Sequence, residues 1–187
     1  MPLLCDDQEK AVRQAKEALA LFVDRFNIAY LGGLRRKLGL SAEREGDLAL
    51  AQDLLDRMVA NKADFTLTFR RLCEAAVSPE GDTDVRGLFE DPESYDDWAA
   101  RWRLRLGEEP QDGAARRTLM RRVSPAFIPR NHRVEAVIDA AVKGQDFAPF
   151  EEFVAVLSTP YEDQPAFAAY ADPPPPDQRV YQTFCGT

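Results

Sequence analysis

The chain has little of what most small-site chemistry uses. Its 187 residues hold one histidine, His132, and three cysteines, Cys5, Cys73 and Cys185. A single histidine excludes a histidine-based metal cluster, and no H-E-x-x-H occurs. The cysteines form no C-x-x-C pair, which removes a zinc site and a thioredoxin-type motif. There is no G-x-x-x-x-G-K-[ST] loop and no G-x-G-x-x-G; Gly32-Gly33 lies inside a helical pattern rather than at a phosphate cradle. No apolar run approaches the ~20 residues of a membrane helix. The opening M-P-L-L-C-D-D-Q-E-K lacks a basic segment followed by an apolar core, so no secretory signal is read there. A cytoplasmic location, with neither membrane nor nucleic acid as partner, is the expectation. Sustained strand alternation and internal repeats are missing as well.

Positive charge is scarce overall, with 24 Lys and Arg against 32 Asp and Glu and a net charge of −8. That argues against general nucleic-acid binding, where phosphates must be neutralised. The deficit is uneven. Arg101 to Arg133 carries nine Arg and three acids (Glu108, Glu109, Asp112), a local +6 that leaves −14 elsewhere. Two readings stand: a docking surface for an acidic partner or domain, or solvated helix faces.

What is there is helical periodicity. Residues 7–38 place Ala11, Ala15, Ala18, Leu19, Phe22, Phe26, Ala29 and Tyr30 at helical spacing, with Gly32-Gly33 as a bend or break and Gly39 as a stop. Asp47 is placed as the cap of a helix over 47–60, and Asp64 as the cap of the next. Residues 78–84, S-P-E-G-D-T-D, read as a polar loop. Asp91-Pro92 is a strong helix start, an acceptor cap followed by proline. Trp98 and Trp102, four apart, share a face and read as core. A short basic helix over 113–123 is broken by Ser124-Pro125. Asn131–Lys143 follows, with Val134, Val137, Ile138, Ala141 and Val142 inward and Gly144 as its cap, then a helix over 149–157. Pro173–Pro176 reads as polyproline II and the last residues as extended. The expectation is a mainly α domain of about seven helices over residues 1–172, then a Pro-rich extended tail over 173–187.

Chemistry has few candidates. His132, in P-R-N-H-R, titrates near neutrality and is conceivable as a base, but no nucleophile with an orienting acid accompanies it. A structural role for Arg130 and Asn131, capping the helix or tying the preceding turn to its neighbours, is the expectation. Cys73 reads as core. Cys185, beside the terminal Gly-Thr, is a thiol able to reach a partner sulfur at low ordering cost.

Several blocks point further. They are R-V-S-P-A-F-I-P-R-N-H-R at 122–133, S-T-P-Y-E-D-Q-P-A-F-A-A-Y at 158–170 and the final T-F-C-G-T. To these add D-F-T-L-T-F-R-R-L at 64–72 and D-D-W-A-A-R-W-R-L-R-L at 96–106. Together they resemble the C-terminal portion of the selenoprotein O-like protein adenylyltransferases, a family of kinase-like fold. The resemblance implies a much longer protein whose N-terminal kinase-like portion binds ATP and magnesium and transfers AMP to Ser, Thr or Tyr hydroxyls of proteins. No catalytic, ATP-binding or metal-binding position of that family matches a residue here, so the chain alone is expected to be inactive. One position carries over: the third residue from the end, selenocysteine or cysteine in the family, is Cys185, implying a reversible disulfide to the catalytic body. The expected partners are that N-terminal portion and the protein substrates of the whole enzyme. Two other readings remain, a free-standing helical interaction module and a small enzyme using His132 or Cys185.

Overall fold

The computed structural model describes residues 7–179. Asp7 caps the first helix, α1 (Gln8–Lys37), its carboxylate accepting from the amides of Glu9 and Lys10 at 2.9 and 3.1 Å. Gly32 and Gly33 do not break α1, because they keep helical geometry and the ladder runs through them. The stop comes at Gly39, where φ is +72°. Leu40 N–H donates to Arg35 C=O at 2.9 Å and Gly39 N–H to Arg36 C=O at 3.3 Å, a Schellman closure that buries Leu40. A Cβ on Gly39 would also lie 2.8 Å from the Arg116 stem and the Met120 sulfur.

Six further helices follow the sequence pattern: α2 (Asp47–Ala60), α3 (Phe65–Ala75), α5 (Pro92–Leu106), α6 (Gly113–Arg121), α7 (Asn131–Gly144) and α8 (Ala148–Ser158). The eighth, α4 (Asp82–Arg86), replaces the expected loop at 78–84 and is preceded by a 3-10 turn at Pro79–Gly81. Further 3-10 turns lie at Pro165–Tyr170 and Pro176–Gln178, the second interrupting the expected extended proline segment. No strand occurs among the described residues. The fold is mainly α.

Two caps differ from expectation. Gly46, not Asp47, is the N-cap of α2; the Asp47 carboxylate turns back to Arg44 N–H at 3.0 Å and inward to Arg105. Gln145, not Gly144, takes the left-handed cap of α7, with φ of 51°. Asp64 and Asp91 cap as their sequences predict, accepting from Leu67 N–H at 2.8 Å and Glu93 N–H at 3.1 Å.

The main core forms where α5 packs against α2 and α4, with α3 packed on α4 and α6. Tyr95, Trp98 and Trp102 are fully buried, and the two indole rings stack with centroids 5.2 Å apart. Each indole N–H reaches a carbonyl at 2.9 Å, Trp98 to Leu50 and Trp102 to Leu38, so neither is buried unpaired. Leu34, Leu54, Phe69, Leu72 and Met120 complete it. A smaller cluster of Ala126, Phe127 and Val156, covered by Phe167 and Tyr170, lies beyond. The seam between them is polar. Arg70 bonds Ser124 C=O at 3.1 Å and Asp163 at 2.6 Å, while the amides of Ala126 and Phe127 both donate to Pro160 C=O.

Candidate functional site

Of the residues singled out for chemistry, the two described ones, Cys73 and His132, stand in different helices, α3 and α7. Cys185 and Cys5 lie outside the described residues. Cys73 is buried in α3, its thiol donating to Phe69 C=O at 3.3 Å, and burial pushes its pKa up to about 11. Such a thiol carries almost no thiolate near neutrality and is a core residue. His132 sits in the first turn of α7 with 8% exposure. Burial, then the Arg133 and Arg130 charges, push its pKa below the ordinary value and favour the neutral ring. Among the described residues its Nδ1 has no hydrogen-bond partner. This is no acid–base dyad. Arg130 instead grips the Asp64 carboxylate at 2.7 and 3.1 Å, tying the P-R-N-H turn to the start of α3. That tie is the structural role the sequence assigns to this segment. Arg130 occupies the N-cap position of α7 without a side-chain cap bond.

Most of the basic stretch is matched within the chain, much of it on half-exposed faces. Most of its arginines meet acids from distant parts of the chain: Arg101 meets Asp53, Arg103 meets Asp82, and Arg117 and Arg121 share Glu74. Arg121 also holds Asp163 at 2.7 Å. Arg116 places its terminal nitrogens on the carbonyls of Ala76, Leu106 and Gln111. Arg105 is the most enclosed ion pair. It bonds Asp47 at 2.8 Å and Glu109 at 2.6 Å, and both acids are buried. Burial alone raises the Glu109 pKa, but the Ser41 hydroxyl and amide, Arg105 and the Ala42 amide outweigh it and hold the carboxyl at about 2. The sequence carries half of this signal, the Arg105–Glu109 spacing of four across the end of α5. Asp47, 58 residues away, carries none.

What the structure leaves available is apolar. From Val12 to Tyr30, α1 presents no buried side chain. Leu19, Phe22, Phe26 and Ile28 are 68, 61, 52 and 73% exposed. Phe22 stacks on Phe26 at 5.9 Å and Phe26 on Tyr30 at 5.8 Å, a ladder at helical spacing running along the helix. A second apolar face runs over α7 and α8, where Ile138, Val142, Phe147, Phe150 and Val154 are exposed, correcting the expectation that Ile138 and Val142 face inward. The shift follows from the smaller core: α8 turns only Phe153 and Val156 fully inward. Monomeric proteins rarely expose contiguous patches of this kind unless a partner covers them. Among the described residues no cluster of three or more His, Cys, Asp or Glu is arranged to hold a metal ion. No helix among them is long and apolar enough to cross a membrane.

Comparison with known proteins supplies the remaining constraint. Residues 8–158 match the family described as protein adenylyltransferase SelO. The chain is similar over its whole length to proteins named protein nucleotidyltransferase YdiU. Identity is 62% with that of Bradyrhizobium diazoefficiens, 57% with that of Methylorubrum extorquens and 55% with that of Rhodopseudomonas palustris. In each case 100% of this chain is covered, but it spans only 38 to 39% of the relative's length.

Proposed function

The chain belongs to the protein adenylyltransferase SelO family, and from that we propose that it is the bracing, non-catalytic helical portion of a protein adenylyltransferase. In this reading the whole enzyme transfers AMP from ATP to Ser, Thr or Tyr hydroxyls of protein substrates. The N-terminal kinase-like portion binds ATP and magnesium and supplies the reacting groups.

The observation that carries the reading is the ring ladder of α1. A thirty-residue helix with an exposed Phe22–Phe26–Tyr30 stripe is built to lie against another apolar surface. The arginine-clamped bundle keeps that helix anchored through Leu34, Leu38 and Leu40. Cys185 is the proposed redox-regulatory thiol, pairing with a cysteine of the catalytic portion. Cys73 is unsuited to that role because it is buried and protonated.

The test is AMP transfer from labelled ATP with magnesium. This chain is assayed alone and mixed with a family member from which the matching C-terminal region has been deleted. Silence alone with labelling restored in the mixture is expected. Labelling by the chain alone overturns the non-catalytic assignment. Silence in both moves the weight to a free-standing helical interaction module, which the same exposed faces also suit.

A further inference from the structure

One cavity lies away from the α1 ladder and the α7–α8 face. It has a volume of ≈ 310 Å³ and opens between the end of α1, the turn after Gly39 and the outer side of α6. That volume is at the lower end of ordinary small-ligand pockets. Leu40 and Leu119 give it apolar walls, and Ser41 a hydroxyl. Three arginines, Arg36, Arg116 and Arg122, line it, and no acid does.

These arginines differ from most others in the bundle. The side chains of Arg36 and Arg122 are exposed and make no hydrogen bond or ion pair among the described residues, whereas most of the basic stretch is matched to acids. Arg116 is buried, and its Nε has no partner. An apolar hollow rimmed by two unpaired guanidiniums, with a third charge in its wall, calls for an apolar body carrying an anionic group. Guanidinium is the fork that fits a carboxylate at two points.

We propose that this cavity binds a small amphiphilic carboxylate, an acyl chain of about eight carbons whose head is held by Arg36 and Arg122. The chain packs on Leu40, Leu119 and the aliphatic stem of Arg116. The charge contributed by Arg116 acts through the wall rather than by contact. This site is independent of the bracing role, since it uses none of the α1 ladder.

The experiment is calorimetric titration of the chain with butyrate, hexanoate and octanoate, and with octanol as the uncharged body. Affinity should rise about fourfold per methylene along the acid series. Octanol should bind at least tenfold more weakly than octanoate, a factor typical of losing one charged hydrogen bond. Arg122→Gln should weaken octanoate about tenfold, and the Arg36→Gln/Arg122→Gln pair more. Both positions are exposed and unpaired, so neither change threatens the fold. Leu119→Trp should block binding by filling the mouth. Phe22→Ser/Phe26→Ser should leave it unchanged, because the ladder is a separate surface. The proposal is overturned if octanol matches octanoate, if chain length has no effect, if the arginine pair is silent, or if binding vanishes with the ladder variant instead.

Discussion

Removing the Arg105 side chain tests how this bundle is held. In Arg105→Leu four contacts go: two to Asp47, one to Glu109 and one to Ala42 C=O. Asp47 is 1% exposed and keeps only the Arg44 amide; Glu109 keeps the Ser41 and Ala42 donors. Leaving a buried carboxylate without its countercharge costs about 3–5 kcal/mol. Domains of this kind have roughly 5–15 kcal/mol in total. The variant should therefore unfold at a much lower urea concentration, read by the fluorescence of the buried Trp98 and Trp102. The triple variant Arg105→Leu/Asp47→Asn/Glu109→Gln should recover much of the loss, because neutral amides do not demand a cation. Arg44→Ala is the control: its pair with Glu108 is half exposed and should cost under ~1 kcal/mol. If Arg105→Leu also costs under ~1 kcal/mol, the network is solvated and the clamp account is wrong.

Glu109 adds a pH signature. Its folded pKa of about 2 lies below the ordinary 4.5, so its stabilisation is complete above about 4.5 and is lost as pH falls through about 2; Glu109→Gln should flatten that acid limb in urea titrations at stepped pH. Trp102→Phe should cost about 1–3 kcal/mol in the same assay, because Leu38 C=O is left buried without its indole donor. A thiol reagent should reach Cys73 only in denaturant, and its reaction in the native state would contradict the burial described. Phe22→Ser/Phe26→Ser should change stability by under ~0.5 kcal/mol yet reduce hydrophobic-dye binding and self-association in light scattering.

Residues four apart on one helix were easy to read, and residues far apart in the chain were not. Trp98 and Trp102, Asp91-Pro92, Asp64 and the Gly39 stop all announce themselves locally, and all stand where the sequence puts them. Asp47 looked like a cap because acids favour helix starts, but a buried arginine from α5 offers it more than the first-turn amides do. The 78–84 segment carries Gly, Pro and three acids, yet Tyr95 donates to Asp82 at 2.6 Å and steadies α4 there. The local +6 misled for the same reason: sequence shows how many charges a segment holds but not which acids face them. On α1, α7 and α8 periodicity found the apolar stripes, but it does not say whether a stripe is covered by this chain.

The way α1 is attached has a mechanical consequence. The bundle grips the helix near its last turn, through Leu34 and Leu38, with Lys37 donating to Val123 C=O at 2.5 Å. From Val12 to Tyr30 no side chain is buried, a rod of ~28 Å. Fixed at one end, it is a cantilever. A tilt of about 10° at the root would carry the far end of that stretch about 5 Å. Small repacking around Gly39 and Met120 would thus be magnified along the aromatic stripe. A body lying against that stripe would sense the state of the bundle through leverage, without touching its core.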